Sequence, residues 1–351
     1  MERRELAVMA AVATLVALAA ALRFTGAAPI LVFCAAAVAL GGIAHLIGES
    51  TDHLGDHLGP AATGIVQSAV GNLPELFVCY FALKAGLVTL VQAALVGSIL
   101  SNALLVLGVA FLAGGWRHGV LRFEGRTPRM IASLLMLAVA ALVLPTLAHG
   151  LHLPASENEQ ALSIVCALVL LFVFAVQTHA LLSQSSRNLP PEAHLRDDVW
   201  PLSRALAVLV ASGLSAAFVS EWFVGALEPA IEAVGINQAF AGLVIVAIAG
   251  NAAEHFVGIQ LAWRGKAELA VSVVLNSALQ VALALVPFVV LLSFFLGGAP
   301  FTLAIPPILA ASVLLAVLVV TIVTVDGEAD MVDGAALVGL YVIIAAIFWW
   351  G

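Results

Sequence analysis

Two glutamates, Glu75 and Glu254, lie deep inside apolar segments of the sequence. Residues 71–75 read Gly-Asn-Leu-Pro-Glu, and the same Gly-Asn-x-x-Glu pattern returns 179 positions later, at residues 250–254. Carboxylates are costly in hydrocarbon and are rarely kept there without a function. The apolar segments place no Lys or Arg at comparable depth. Unpaired carboxylates take up protons or hold a cation, so the pair predicts a site that accepts two protons or one divalent ion, but not both.

Oxygen-bearing side chains accompany both glutamates. Asn72 and Asn251 supply amide oxygens within a turn of Glu75 and Glu254. Such hard ligands suit Ca²⁺ better than a softer transition metal. Further polar residues either face the same cavity or serve only as hydrogen-bond partners between helices. They are Ser98, Ser101 and Asn102 in the first half and Asn276, Ser277 and Gln280 in the second.

Three other titratable residues are candidates for proton transfer, and His255 and Glu49 each have a second interpretation. His255 either relays protons beside Glu254 or is a packed histidine with its polar atoms satisfied. Glu49 and Glu221 occupy corresponding segments of the two halves and are candidates for a second protonatable pair. Glu49 is also explained by an interfacial position, because a polar run that contains Asp52 and His53 follows it.

The elements that carry these residues are predicted to be membrane helices. With 63% hydrophobic residues, 10% charged residues and a mean hydropathy of +1.14, the chain is too apolar for a soluble globular protein. The net charge of −8 provides no basic face for nucleic acid. An intramembrane enzyme would need a nucleophile and base or a metal motif such as HExxH, and the sequence contains neither pattern.

About 20 apolar residues cross the hydrocarbon as a helix, and this length predicts an all-α polytopic protein with eleven spans. Residues 1–25 form an extra N-terminal helix, 26–183 and 201–351 form two five-helix repeats, and the polar stretch 184–200 is a cytoplasmic linker. The predicted spans are 5–23, 28–50, 61–83, 88–114, 130–149, 159–183, 202–227, 238–263, 268–297, 301–325 and 334–350.

The distribution of Lys and Arg predicts the orientation of these spans. Cytoplasmic loops carry the positive excess, and an internal N-terminus places eleven of the thirteen basic residues on the inner side. Only Arg23 and Lys84 fall outside. One missed or invented span would invert every later loop, so the count and the orientation support each other. The C-terminus is then external.

The two Gly-Asn-x-x-Glu patterns belong to an internal repeat. Shifting residues 71–108 onto 250–287 needs no gap and gives eleven identities in 38 positions. Glu75 lies in the third predicted span and Glu254 in the eighth, so equivalent positions are five crossings apart, and an odd number means that the copies enter the membrane in opposite senses. This inverted arrangement is typical of secondary transporters with a site near the membrane midplane. Gly followed by Asn is unfavourable inside a helix, so each motif also predicts a helix break.

At these residues the chain resembles the calcium/proton antiporters of the cation/calcium exchanger superfamily. The resemblance covers nearly the whole chain beyond the first span and includes residues 48–60, 71–76, 97–102, 220–221, 246–255 and 280–283. Its most specific part is the Gly-Asn-Ala-Ala-Glu-His run at 250–255. The sequence departs from the family pattern at Pro74 and at Asn276.

The resemblance implies an eleven-helix antiporter in which Glu75 and Glu254 bind Ca²⁺ and exchange it for H⁺. It also implies that Gly71 and Gly250 donate backbone carbonyls and that Glu49 and Glu221 are accessory acids. We expect a multi-pass protein of the plasma (cell inner) membrane that uses no cofactor and moves spans 2 and 7 against spans 3, 4, 8 and 9. The alternatives are a Na⁺- or K⁺-coupled cation exchanger and a passive cation channel.

Overall fold

The structure, a computed structural model, describes residues 3–187, 199–298 and 300–350. Most of the predicted linker 184–200 therefore lies outside the described residues. The α-helices are α1 (Arg3–Phe24), α2 (Pro29–Val70), α3 (Leu73–Lys84), α4 (Val88–Leu100), α5 (Leu107–His118), α6 (Arg126–Gly150), α7 (Glu159–Arg187), α8 (Leu202–Val234), α9 (Gln238–Phe240), α10 (Ala247–Gly250), α11 (Ala252–Trp263), α12 (Ala267–Gln280), α13 (Val286–Ser293), α14 (Pro307–Thr324) and α15 (Met331–Trp350).

A few short elements interrupt or join these helices. They are three π-helical segments, Ser101–Val106, Ala241–Val246 and Val281–Leu285, a 3₁₀ turn, Pro154–Asn158, and two strands, β1 (Leu121–Arg122) and β2 (Glu328–Ala329). The strands pair antiparallel, with Leu121 opposite Ala329 and Arg122 opposite Glu328. An Arg122 to Glu328 ion pair of 3.0 Å reinforces the second pair.

The helices confirm an all-α membrane protein. Within the described residues, nine helices are long and apolar enough to cross a bilayer, and a bent pair, Gln238–Gly250 with Ala252–Trp263, provides a tenth candidate. The count of eleven stays a prediction. The remaining predicted span, 61–83, corresponds to the end of α2 and to α3.

The predicted interruption between spans 28–50 and 61–83 is wrong. The backbone is helical without a break from Pro29 to Val70, through the polar run at 48–60. Polarity marks where a helix can leave an apolar phase, whereas a helix ends only where its backbone hydrogen bonds stop. The backbone of the polar run continues the hydrogen bonds of α2, so its polar side chains do not end the helix.

The predicted helix breaks at the two motifs are confirmed. α2 ends at Val70 and α3 begins at Leu73, so Gly71 and Asn72 form the turn between them. In the second copy Asn251 separates α10 from α11, and the two sides of the break differ in direction by 66°. Pro74 lies in the first turn of α3, where a missing N–H removes no hydrogen bond.

The local structure repeats at the same 179-residue spacing as the sequence. After α3, Gly86 has a φ of +80°, and after α11 the equivalent Gly265 has a φ of +76°. The helix ends close with matching backbone bonds, Leu87 N to Ala82 O and Lys266 N to Leu261 O, both 2.9 Å. The π-helical segments that follow α4 and α12 also correspond. Two copies of one backbone unit therefore underlie the repeat.

The chain forms two compact units. The first comprises Met1–Phe81 and Val173–Gly235. In this unit α2 packs along α8, and α1 packs on α2. Phe33 of α2 stacks on Phe223 of α8 with ring centroids 4.7 Å apart, in a core that buries both rings.

The second unit comprises Ala82–Phe172 and Ile236–Gly351. Its helices cross at glycines: a Cβ on Gly97 of α4 would overlap the carbonyl oxygen of Leu243, and a Cβ on Gly334 of α15 would lie 2.6 Å from Gly108 O. Missing side chains thus allow backbones to approach closely, as is common between membrane helices. The resulting core holds α4 against the segment that leads to the break at Asn251.

Candidate functional site

Glu75 lies in the first turn of α3, directly after the break at Gly71 and Asn72. Glu75 is only 7% exposed, although it carries a carboxylate. The N-terminal end of a helix carries partial positive charge, which favours an anion there. Asn72 O accepts the backbone N–H of Leu76 at 3.0 Å and so starts the helix that holds the glutamate.

Ser220 of α8 also reaches this region of the first unit. It is fully buried, and its Oγ donates to the Pro74 carbonyl at 3.5 Å. Its neighbour Glu221, the predicted accessory acid, lies on the exposed side of α8. The Ser-Glu pair was the available signal, and its serine is the member that contacts the Gly-Asn-x-x-Glu motif.

Glu254 occupies the equivalent position in the second unit, in the first turn of α11. Its Oε2 is buried and has no hydrogen-bond partner among the described residues, and the same holds for Nε2 of the adjacent His255. An unsatisfied buried acceptor is unstable unless it gains a proton or a cation. Glu254 therefore has the chemical character of an ion-binding or proton-binding group.

Asn251, at the break itself, connects this segment to α4. Its Nδ2 donates to Ser98 Oγ at 3.1 Å and to Ala247 O at 2.9 Å, and its Oδ1 accepts from Asn102 Nδ2 at 3.3 Å. Asn102 Nδ2 also donates to Ser98 O at 2.9 Å, and Ser101 Oγ to the same carbonyl at 3.3 Å. The structure thus brings four of the predicted polar residues into one buried network.

The side-chain oxygen of Asn102 accepts no hydrogen bond in this network. Its Oδ1 is buried without a hydrogen-bond partner in the described part of the chain, and the residue is 0% exposed. Together with Glu254 Oε2, it gives the second unit two unsatisfied oxygens of the kind that coordinate hard cations.

The polar residues of α12 have a different placement. Asn276 Nδ2 donates to Ser272 O at 2.8 Å and to Ser272 Oγ at 3.2 Å, so its amide bonds back to its own helix. Ser277 is buried and Gln280 is half-buried on the same helix.

Gly250, the residue before the break, is buried, whereas Gly71 is half-buried.

Glu49 lies in α2, away from the helix breaks, with its side chain 26% exposed and 4.0 Å from His45 Nε2. Glu5, Glu49 and His53 each place one potential ligand atom within 4.8 Å of the others. The sequence does not predict this group, because Glu5 and His53 are far apart in the chain and carry no shared motif.

Comparison with known proteins supplies a family. The family model described as "Sodium/calcium exchanger protein" matches residues 28–182 and 204–350, two segments that together cover most of the chain.

Individual relatives match over about nine tenths of the chain. A Ca(2+)/H(+) antiporter from Aphanothece halophytica is 33% identical over 337 residues, 90% of this chain and 89% of the relative. One from Synechocystis sp. is 34% identical over 339 residues, 90% of each chain. The crystal structure of the selenium-substituted Ca2+/H+ antiporter protein YfkE superposes with a TM-score of 0.84 at 28% identity and covers 98% of this chain and 99% of that one.

Proposed function

Because this chain belongs to the sodium/calcium exchanger protein family, we propose that it is a secondary active antiporter that exchanges Ca²⁺ for H⁺ across a membrane. The names of two relatives at 33% and 34% identity support this choice of ions. The observation that carries the proposal is the buried Gly-Asn-x-x-Glu motif, present twice, with each glutamate in the first turn of a helix that follows a break.

Glu75 and Glu254 carry the exchange in this proposal. Two carboxylates are neutralised by two protons or by one divalent cation, so occupation by one kind of ion excludes the other. Asn72 and Asn251, with the carbonyls of Gly71 and Gly250, complete the oxygen ligands. The unsatisfied Oε2 of Glu254 and Oδ1 of Asn102 support such a role.

The remaining polar residues have supporting roles in the proposal. Ser98 accepts hydrogen bonds from Asn251 at its Oγ and from Asn102 at its carbonyl, and Ser101 donates to the same carbonyl. Ser277 and Gln280 are the counterparts of Ser98 and Ser101 in α12. Glu49, Glu221 and His255 are candidates for proton transfer. In this proposal Ca²⁺ and H⁺ are the transported ions, only proton transfer changes bonds, and no cofactor takes part.

The protein is proposed to lie in the plasma membrane as two inverted five-helix repeats, 26–183 and 201–351, after an extra helix at 1–25 and joined by a linker at 184–200. The two segments matched by the family model, 28–182 and 204–350, support these boundaries. The excess of Lys and Arg in alternate loops supports a cytoplasmic N-terminus and an external C-terminus.

Transport into everted vesicles tests the proposal. A pH gradient with the vesicle interior acidic should drive Ca²⁺ uptake in vesicles that contain the wild-type chain. Glu75→Gln or Glu254→Gln should abolish this uptake. Glu232→Gln, at an exposed position near the end of α8, is the matched control and should transport normally. Folding of each variant is checked by size-exclusion chromatography.

The same vesicles separate the alternatives. Ca²⁺ uptake that depends on a Na⁺ or K⁺ gradient and is independent of pH would indicate exchange coupled to that monovalent cation instead of to protons. Ca²⁺ flux without counter-movement of protons would indicate a channel. Undiminished uptake in both glutamine variants would exclude the two glutamates as the exchange site.

A further inference from the structure

A cluster of aromatic and charged residues joins three helices of the first unit, at the start of α1, in α2 and just before α8. We call it the Trp200 cluster; its members are Glu5, Glu49, His53, His57, Trp200 and Arg204. Trp200 is the residue at the end of the predicted linker, and it is 2% exposed. Its indole Nε1 donates to Glu5 Oε1 at 3.0 Å, and Arg204 donates to Glu5 Oε2 at 3.1 Å.

The indole ring is held on both faces. His53 stacks on it with ring centroids 4.4 Å apart and planes 15° from parallel, and the Arg204 guanidinium carbon lies 4.0 Å from its centroid. Two planar groups this close to one ring cannot share a face, so the indole lies between imidazole and guanidinium.

The backbone of Trp200 fixes the hydrogen-bonding role of each histidine. Its N–H donates to His53 Nδ1 at 3.4 Å, and since a backbone N–H only donates, Nδ1 must be unprotonated. His53 is therefore neutral here, with its proton on Nε2. The Trp200 carbonyl only accepts, so His57 Nε2, 2.6 Å away, carries a proton. Two histidines one helical turn apart thus bind the N–H and the C=O of the same residue.

A metal ion is a poor occupant of this cluster, although Glu5, Glu49 and His53 have ligand atoms within 4.8 Å of one another. A metal binds the lone pair of a neutral imidazole, and the lone pair of His53 already accepts the Trp200 N–H. Both Glu5 oxygens accept hydrogen bonds, and the Arg204 cation lies beside them. The geometry suits a proton better than a metal.

We propose that His53 is a proton-binding site separate from Glu75 and Glu254, and that its protonation breaks the hydrogen bond from the Trp200 N–H to α2 while the bond from His57 to the Trp200 carbonyl remains. A protonated ring has N–H groups on both nitrogens, so Nδ1–H would face the Trp200 N–H and their hydrogen bond would be lost. Trp200 is the residue that joins the linker to α8, so the lost bond lies at the start of that helix.

The charged groups that face His53 decide the direction of this switch. Glu5 contributes from α1, Arg204 from α8, and Glu49 and His57 from α2 itself, with Asp52 and Asp56 exposed on the same helix. The carboxylates of Glu5 and Glu49 have oxygens within 4.8 Å of a His53 ring nitrogen, so their negative charge favours the charged ring. Trp200 keeps its bonds to Glu5 and His57, so the expected change is confined to the surroundings of its backbone N–H.

Fluorine NMR of the full chain labelled with 5-fluorotryptophan tests the proposal. The Trp200 resonance is identified by its absence in Trp200→Phe, and it should shift in one step as the pH is lowered and His53 takes up a proton. His53→Gln keeps an acceptor for the Trp200 N–H but does not titrate, so its Trp200 resonance should be independent of pH. His53→Asn serves the same purpose should the glutamine variant fail to fold.

The controls locate the titrating group. The step should persist in His57→Gln, which leaves His53 in place. It should also persist in Glu254→Gln, so the result does not depend on the proposed exchange site. A step that survives in His53→Gln, a step lost only in His57→Gln, or a wild-type resonance that does not move would overturn the proposal.

Discussion

Glu75 and Glu254 share one local geometry, a carboxylate in the first turn of a helix that begins after a break. The helix end favours the charged form, whereas burial disfavours it. These opposed effects suit the proposed exchange of protons for a cation at the two groups. The repeated motif therefore specifies an environment as well as a pair of glutamates.

Calcium should protect the protein against unfolding, and this protection should depend on pH. At a Ca²⁺ concentration 100 times Kd the gain is about 2.7 kcal/mol. Because protons compete for the same carboxylates, the gain should shrink as the pH falls and grow as it rises. Thermal unfolding with and without Ca²⁺ measures it, and Glu254→Gln should lose the gain at every pH while Glu232→Gln keeps it. Equal protection of Glu254→Gln would remove Glu254 from the site.

The hydrogen bond from Asn251 Nδ2 to Ser98 Oγ should be measurable in a double-mutant cycle. Asn251→Ala and Ser98→Ala remove opposite ends of this 3.1 Å bond. Hydrogen bonds between membrane helices average about 0.6 kcal/mol in such cycles, with a maximum of about 1.7 kcal/mol, so the coupling free energy should fall in this range. Ser133→Ala combined with Asn251→Ala is the additive control, since Ser133 bonds only within α6 among the described residues. Strict additivity of the Asn251 and Ser98 changes would show that the bond contributes no stability.

At the scale of elements, the crossing of α4 with the π-helical segment Ala241–Val246 should tolerate no side chain at Gly97. Gly97→Ala puts a methyl group on the Leu243 carbonyl and should destabilise the protein by about 1–3 kcal/mol, the usual cost of overpacking. Gly339→Ala in α15 has open space around it and should be neutral or stabilising by up to about 1 kcal/mol, from helix propensity. Thermal unfolding in detergent compares the two, and equal stabilities would mean that the crossing adjusts without strain.

Helix breaks were predictable from sequence, because Gly-Asn acts through the backbone and its effect is local. The end of span 28–50 was not, since polar residues at 48–60 continue a helix as well as they end one. The π-helical segments after α4 and α12 have no sequence signal that we recognised. The glutamates of the candidate site were predictable, because a carboxylate in an apolar segment has a high free-energy cost. The pairing of Asn251 with Ser98, 153 positions away, depends on tertiary packing.

At the scale of the whole molecule, contacts between loops agree with the count of spans. Glu5 contacts Trp200, and Arg122 contacts Glu328. Each pair is separated by six predicted spans, an even number, so the count places both partners on one side of the membrane. An odd number of spans between partners would make these contacts impossible. The agreement supports the proposed topology within each unit.

The side on which each loop lies is open to a labelling experiment. Cys34, Cys79 and Cys166 are first replaced by Ala. Single cysteines are then placed at Leu151, directly after α6, and at Val332, at the start of α15. Five predicted spans separate these two positions. Both positions are well exposed, at 66% and 74%.

Because five is odd, a membrane-impermeant maleimide should reach these two cysteines from opposite sides. The excess of Lys and Arg places Val332 inside, so Leu151→Cys should react in intact cells and Val332→Cys only in everted vesicles. The cysteine-free chain controls for background, and Ca²⁺ uptake by each variant shows that it is folded. Reaction of both cysteines from one side would contradict the span count, whereas the reversed pattern would keep the count and invert the orientation.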